Sequence, residues 1–245
     1  MKKRSLLVTV LAYNEEKTIE ASVLHVYSSL KEEEPNREFE ILIVDDGSRD
    51  STSKIADRLA ETYPEIKTVH HHKNFGPGSG IITGLSYCTK DIFTFFAGDF
   101  QGNFRERIPY LKYLDQDVHV LIGYRLNYPH KGPWRRLNSF MFVKLMKLLF
   151  KLPYNEYNFF YFFRREVWEG ELELLSRGVF VAPELMIRAK EKGLKIMAVP
   201  GTTKYRVSGS SVVARPKNVL FTAYEMMKVW YFYKRGKLVD RGERR

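Results

Sequence analysis

Four apolar runs of strand character, SLLVTVLA (5–12), EFEILIVDD (38–46), EIKTVHHH (65–72) and DIFTFFAGD (91–99), punctuate the first hundred residues. Each is rich in β-branched and aromatic residues. The intervals carry a different period. Over residues 18–30, Ile19, Val23, Val26 and Leu30 recur at helical spacing. Asp50 stands where it can cap a second helix carrying Ile55 and Leu59, and the glycine-rich stretch 76–84 leads into a third. This alternation predicts an α/β fold with a parallel central sheet and helices on its faces. Ligands of such sheets bind beyond the carboxyl ends of the strands. Three polar clusters fall there: Tyr13-Asn14-Glu15, Asp45-Asp46-Gly47-Ser48 and Asp99-Phe100-Gln101.

The second half is less regular. Residues 118–123 read as a buried strand, 134–151 as a helix, 183–192 as a helix, 196–199 as a strand and 217–233 as a last helix. A chain of 245 residues suits one domain with a large core. We divide it into a domain over 1–212, with a nucleotide-binding half (1–100) and an acceptor half (101–212), and a basic C-terminal helix and tail over 213–245.

A hydrophobic content of 44% with 28% charged residues describes a folded soluble protein. Cys88 is the only cysteine, so a disulfide framework is excluded and a reducing compartment is expected. Lys2, Lys3 and Arg4 precede only a short apolar run that leads straight into Asn14-Glu15-Glu16, which reads as a first strand and not a signal peptide. No segment offers the roughly 20 apolar residues of a membrane-spanning helix. Residues 1–100 hold 12 Lys/Arg against 16 Asp/Glu, whereas the remainder holds 28 against 13, so the net charge of +11 resides in the C-terminal half. That half is suited to an anionic partner: phosphates, an acidic lipid surface or nucleic acid. The chain has no recognisable nucleic-acid-reading motif, and no nucleic acid is expected.

Taken singly, the clusters are ambiguous. One carboxylate of Asp45-Asp46 can accept from a base N–H or a ribose hydroxyl while its neighbour fixes the turn, but Gly47 and Asp50 also explain a plain strand-to-helix turn. The glycines of NFGPGSG follow the third strand and not the first, which argues against a dinucleotide-binding dehydrogenase. They suit close approach of chain and helix to the sheet or a ligand. His70, His71 and His72 alternate faces along a strand and cannot easily converge on a metal.

Together the clusters are far more specific. AYNEE, VDDGSRDST, NFGPGSGIITGL, GDFQ and GYR, in this order and spacing, resemble the family-2 glycosyltransferases, nucleotide-sugar transferases of the GT-A fold. Within them the chain is most similar to the branch of dolichol-phosphate mannose synthase and related polyprenyl-phosphate glycosyltransferases. The resemblance covers residues 5–212, strongly to residue 125 and loosely afterwards. It implies a Rossmann-like, mostly parallel sheet. It also implies that Ala12, Tyr13, Glu15 and Asp45, with Asp99, contact the nucleotide, and that Gly76 and Gly78 shape the floor of the donor site. Asp99 and Gln101 match the second Asp and the Gln of the family's Asp-x-Asp-x-Gln motif for a divalent cation, Mg or Mn. Arg125, Arg135 with Ser139 one turn later, and Arg206 match positions that clamp acceptor or donor phosphates. Asp99, Gln101 and Arg206 are the catalytic residues this implies. The departures are Leu11 for Pro, Ala97 for the first Asp of the metal motif, Asn155 for Asp, Tyr161 for Arg and Lys204 for His.

Transfer from a nucleotide-diphosphate sugar requires charge neutralisation on the departing diphosphate. Magnesium takes one or two carboxylates plus substrate phosphates, so Asp99, Gln101 and the substrate can suffice, with Lys204 and Arg206 sharing the load. A phosphate acceptor, with a second pKa of about 6, needs no general base. A hydroxyl acceptor does, and Asn155 weakens that case. Residues 137–152, LNSFMFVKLMKLLFKL, set Lys144, Lys147 and Lys151 in one stripe of an otherwise apolar helix. Such a helix either lies in a membrane interface or is a core helix with one wet face. The resemblance favours the membrane. The expected activity is inverting, in-line transfer of a sugar from UDP- or GDP-sugar to polyprenyl phosphate, by a protein peripheral on the anionic cytoplasmic face of a membrane. The alternatives are a soluble or saccharide hydroxyl acceptor, or a catalytically silent nucleotide-sugar binder, for instance as a partner subunit.

Overall fold

The computed structural model describes residues 3–100, 102–126, 133–170, 173–202 and 216–239. The chain runs β1 (Leu6–Ala12), α1 (Ile19–Glu33), β2 (Phe39–Asp45), α2 (Thr52–Thr62), β3 (Ile66–His70), α3 (Pro77–Tyr87) and β4 (Ile92–Ala97). A 3-10 turn at Arg105–Tyr110 passes into a short α4 (Leu111–Asp115) and then β5 (Val120–Arg125). After these come α5 (Pro133–Phe150), β6 (Tyr161–Arg164), α6 (Val181–Glu191), β7 (Ile196–Gly201) and α7 (Pro216–Lys234). The elements anticipated from periodicity all form. The aromatic run before Arg164 adds one more strand, β6.

The seven strands form one sheet in the order β3-β2-β1-β4-β6-β5-β7. β6 is antiparallel to both its neighbours, and the other pairs are parallel. Alternate side chains of β1 feed opposite faces: Leu6, Val8 and Val10 join the core under α1 and α4, and Leu7 joins the core under α3, α5 and α6. Burial on both faces is why these strands read as nearly continuous apolar runs. From β1 the chain winds outward through β2 to β3, then returns to place β4 on the other side of β1. The strand order reverses between β1 and β4, and open α/β sheets bind ligands in the crevice at such a point.

The glycines of α3 allow the close approach expected of them. A Cβ on Gly80 would lie 2.7 Å from the Leu11 side chain, and one on Gly84 would lie 2.3 Å from Thr9 Oγ1. Gly78 is turned to a different neighbour: its Cβ would lie 2.1 Å from the Arg177 carbonyl oxygen and 2.2 Å from that of Gly178. Backbone cannot yield as a side-chain tip can. Gly78→Ala therefore lowers stability by about 1–3 kcal/mol, seen as a lower urea midpoint at unchanged m-value.

The last helix shares the main core. Met226 and Val229 of α7 are buried in it, and α7 packs on α5. Glu225, 2% exposed, accepts the backbone N–H groups of Arg177 (2.5 Å) and Gly178 (2.8 Å). The loop that presses on Gly78 is thus held from behind by α7.

Candidate functional site

The registers bring the clusters to one edge. Ala12 pairs with Asp45, Asp45 with His70, and Leu11 with Ala97. The loops leaving β1, β2, β3 and β4 therefore emerge side by side at the carboxyl ends.

The first two loops are stapled together. Asn14 adopts a left-handed φ of 54°, donates its N–H to Ser48 Oγ (2.9 Å) and accepts the Arg49 N–H on Oδ1 (2.8 Å). Glu15 donates its N–H to Thr52 Oγ1 (2.8 Å), and its carboxylate accepts from the Thr18 hydroxyl (3.0 Å). Asp50, expected as the cap of α2, lies one residue before its N-cap, Ser51, and accepts the Thr52 N–H (3.0 Å). Beside this seam lies a cavity of about 300 Å³, lined by Tyr13, Asp45, Ser48, His70, Lys73 and Asn74 among others.

Asp45 is 1% exposed, and Ser48, Ser53 and His70 all bond its carboxylate. Burial pushes its pKa up, but these bonds outweigh burial and hold it below the usual carboxylate value. Asp45 is thus an anion with its partners fixed. Asp46 reaches across to the glycine loop, accepting from Phe75 N–H (3.0 Å), Gly76 N–H (2.7 Å) and His71 Nδ1 (2.7 Å). The three histidines diverge as their alternation requires. His70 turns to Asp45 and Asp57, His71 to Asp46 and Thr83, and His72 packs against Phe75. No group of three or more metal-ligating side chains occurs among the described residues.

Ala97 is exposed at the end of β4, and its carbonyl accepts the Ser22 hydroxyl (3.0 Å). Gly98 then bonds Leu11 (2.8 Å), so half-buried Asp99 leaves the sheet next to β1, at the point of strand reversal. Phe100 takes a left-handed φ of 56°, uncommon for a bulky residue, and is anchored edge-on to His25 at 5.4 Å. Gln101 and Arg206 lie outside the described residues, as do Lys204 and the Arg135 side chain. Of the two residues expected to hold a cation, only Asp99 is described, and its carboxylate is a hard oxygen donor of the kind Mg or Mn accepts.

The structure brings Tyr13 and Asp45 to one cavity; Ala12, 4% exposed, pairs with Asp45 at the end of β1 but does not line it, and Glu15 is bonded into the seam. Gly76, at φ 94°, is held by Asp46, and Gly78 faces the 177–178 backbone and not the cavity. Arg125 ends β5, where it pairs with Glu156 (2.8 Å), donates to the Asn158 carbonyl (2.8 Å) and lies 4.6 Å over the Phe159 ring. Ser139 is on the exposed side of α5. Asn155 accepts from Lys147 (2.6 Å), so the carboxylate in this loop is supplied one residue later by Glu156. Tyr161 is buried and donates its hydroxyl to the Tyr157 carbonyl. Sequence reasoning missed Glu156, and it missed Ser53 and His70 as partners of Asp45. The only signal for His70 was its place at the end of a strand adjoining β2.

Residues 7–172 match the profile of the family described as Glycosyl transferase family 2. The chain is 27% identical over 212 residues to the dolichol-phosphate mannosyltransferase of Pyrococcus furiosus, covering 83% of this chain and 58% of that protein. It is 26% identical over 176 residues to the undecaprenyl-phosphate 4-deoxy-4-formamido-L-arabinose transferase of Pseudomonas syringae pv. syringae, covering 71% of this chain and 51% of that protein. The chain thus spans little more than half the length of these relatives. In fold it is similar to glucosyl-3-phosphoglycerate synthase from Mycobacterium tuberculosis, solved in complex with Mn2+, uridine diphosphate and phosphoglyceric acid. That match has a TM-score of 0.68 at 18% identity and covers 93% of this chain and 78% of the other. The strand-reversal crevice, the loop clusters around it and a profile match over more than half of the residues agree: the chain belongs to glycosyl transferase family 2.

Proposed function

We propose that this chain transfers a sugar from a UDP- or GDP-sugar to a polyprenyl phosphate, by inverting in-line displacement, while docked on the cytoplasmic face of a membrane. The nucleotide occupies the cavity bounded by Tyr13, Asp45 and His70, and its diphosphate lies toward Asp99. Asp99 and Gln101 would hold a divalent cation together with the substrate, and the chemistry it would supply when bound is charge neutralisation on the departing diphosphate. Arg125, Arg135, Ser139 and Arg206 bind the acceptor or donor phosphates, and Arg125 is preoriented by Glu156 and the Phe159 ring. An ionised acceptor phosphate needs no general base, which agrees with the bonded amide at Asn155.

The observation that carries the lipid acceptor is the outer surface of α5 and α7. Phe140 is 63% exposed, Leu148 71%, Leu220 72% and Tyr224 64%, on two helices that pack together. Exposed Lys144 and Lys147 stand among the α5 residues. The inner face of α5, with Met146 and Phe150, is buried, so the helix has both a core side and an outer apolar side. No described helix is long and apolar enough to cross a membrane. The relatives named for dolichol-phosphate and undecaprenyl-phosphate transfer support the same reading.

Incubation with sugar nucleotides, polyprenyl phosphate and Mg or Mn is expected to give a sugar lipid. Absence of product with every donor would sink the enzyme reading and leave a silent binder. The combined substitutions Phe140→Glu, Leu148→Glu and Leu220→Glu are expected to reduce flotation with anionic liposomes at least about tenfold, through lost apolar burial and charge repulsion. Melting temperature should be unchanged, because all three residues are exposed. A second reading, a soluble acceptor, draws on the phosphoglyceric acid bound by the Mycobacterium tuberculosis enzyme. It requires turnover on such an acceptor without any liposome binding.

A further inference from the structure

His70 meets a carboxylate through each ring nitrogen. Nδ1 lies 3.1 Å from Asp45 Oδ2, and Nε2 lies 2.9 Å from Asp57 Oδ1. A neutral imidazole has a single N–H and satisfies one of these acceptors, whereas the imidazolium satisfies both. Burial lowers the pKa of His70, but the bonds to Asp57 and Asp45 outweigh it and raise the pKa above the ordinary histidine value. The charged groups around the ring are Asp45 from β2 and Asp57 from α2, while Arg49 and Lys73 line the same cavity from neighbouring loops. Just beyond its strand His71 is turned away to Asp46, and His72 packs against Phe75.

The consequence lies in the acceptor capacity of Asp45. A carboxylate has about four lone-pair sites, two on each oxygen. Oδ2 is filled by Ser53 Oγ and His70 Nδ1. Oδ1 accepts the Ser48 N–H at 3.0 Å and keeps its second lone pair for one incoming donor.

We propose that His70 sets the base preference of this cavity: by filling Oδ2 of Asp45 it leaves room for one N–H donor, which suits the imino N–H of uracil and not the paired N1–H and N2 amino group of guanine. Uracil flanks its single donor with two carbonyl oxygens, and Arg49 and Lys73 at the cavity wall are cationic donors suited to them. The inference rests on the nucleotide-sugar reading above and narrows its donor to a UDP-sugar. His70 acts through Asp45 and is a positioning residue. As pH rises through its raised pKa the imidazolium loses a proton, Oδ2 is released in the tautomer that keeps Asp57, and the restriction on guanine relaxes.

The test is calorimetric titration of the wild-type chain with UDP and with GDP, Mg present, at about pH 6 and about pH 8.5, on either side of the histidine range. At the lower pH, UDP is expected to bind at least about tenfold more tightly, the value of one well-made hydrogen bond. The ratio should narrow at the higher pH, and His70→Leu should show the narrowed ratio at both. Asp57→Asn should move the transition to lower pH. Equal or tighter GDP binding by the wild type at the lower pH overturns the inference and leaves the nucleotide site standing. A wild-type ratio that ignores pH also overturns it, without reliance on any variant folding. If neither nucleotide binds, the nucleotide-sugar reading itself fails, and the inference fails with it.

Discussion

Replacing Asp46 with Ala is expected to lower unfolding free energy by about 3 kcal/mol and to weaken nucleotide binding at least tenfold. Asp46 is 7% exposed and holds the 71–79 segment against the end of β2. Oδ1 accepts from His71 Nδ1 (2.7 Å), Phe75 N–H (3.0 Å) and Ser79 Oγ (3.3 Å), and Oδ2 accepts from Gly76 N–H (2.7 Å). Alanine leaves two part-buried backbone N–H groups and an imidazole without their carboxylate, and the loss of several bonds to one charged group adds up. The loop has little freedom to compensate. Gly47, at φ 72°, packs so closely that a Cβ would lie 2.5 Å from the Lys73 backbone, and Gly76 sits at φ 94°. Lys73 and Asn74 line the cavity, so a released loop loses one wall of it. Asp46→Asn keeps one acceptor oxygen but opposes an NH2 group to the remaining donors, and should fall between Ala and wild type. Urea denaturation gives the stability change and UDP titration the affinity change. A D46A protein as stable as the wild type would mean that this loop is held by other contacts.

The contrast between Asp46 and Glu225 shows why the strand ends could be read from the chain and other contacts could not. Val10, Ile43 and Phe96 announce strands as members of apolar runs rich in β-branched and aromatic residues, and each strand's exit is marked by the polar residue that follows it. Adjacent strands then bring those exits together without further information. Asp46 could be assigned to a turn on local grounds, but its reach to Gly76, 30 residues away, is tertiary. Glu225 looks like one polar residue in an aromatic tail, yet it is buried and holds the N–H groups of Arg177 and Gly178, nearly 50 residues back. Charge alone separates that tail from the rest, whereas Met226 and Val229 tie it into the core. β6 escaped notice for a different reason. It is only four residues long, Tyr161–Arg164, at the end of a longer aromatic run, so nothing in the run marks where a strand begins. Arg107 gave no signal at all: it is 6% exposed, with its guanidinium 4.6 Å from the Phe160 ring and 4.9 Å from Phe96. A buried cation among rings cannot be told from a surface arginine before the rings are in place.

On the proposed cation role, Asp99→Asn is expected to lower kcat on the order of a hundredfold, since that role makes several kcal/mol of charge stabilisation at the diphosphate depend on this carboxylate. The converse substitution, Ala97→Asp, distinguishes a weakened cation site from one that works without a cation. Ala97 ends β4, paired with Leu11 and exposed, with its carbonyl bonded by Ser22. A larger side chain there therefore meets water, and the substitution should change stability by no more than about 0.5 kcal/mol. Asp99 follows two residues later, across the turn whose left-handed Phe100 is pinned to His25. A carboxylate at position 97 would add a hard oxygen donor to a turn that already has one, and Mg accepts one or two alongside substrate phosphates. On the cation reading, Ala97→Asp lowers the half-saturating Mn or Mg concentration about tenfold, equivalent to about 1.4 kcal/mol of metal affinity, and raises turnover at limiting metal. It does so only while Asp99 remains: in the double variant with Asp99→Asn most of the gain should vanish, since the two carboxylates act on one ion and their effects are not additive. If Ala97→Asp folds normally and changes neither metal dependence nor turnover, charge neutralisation at this strand end does not run through a cation, and the basic residues of the C-terminal half must supply it.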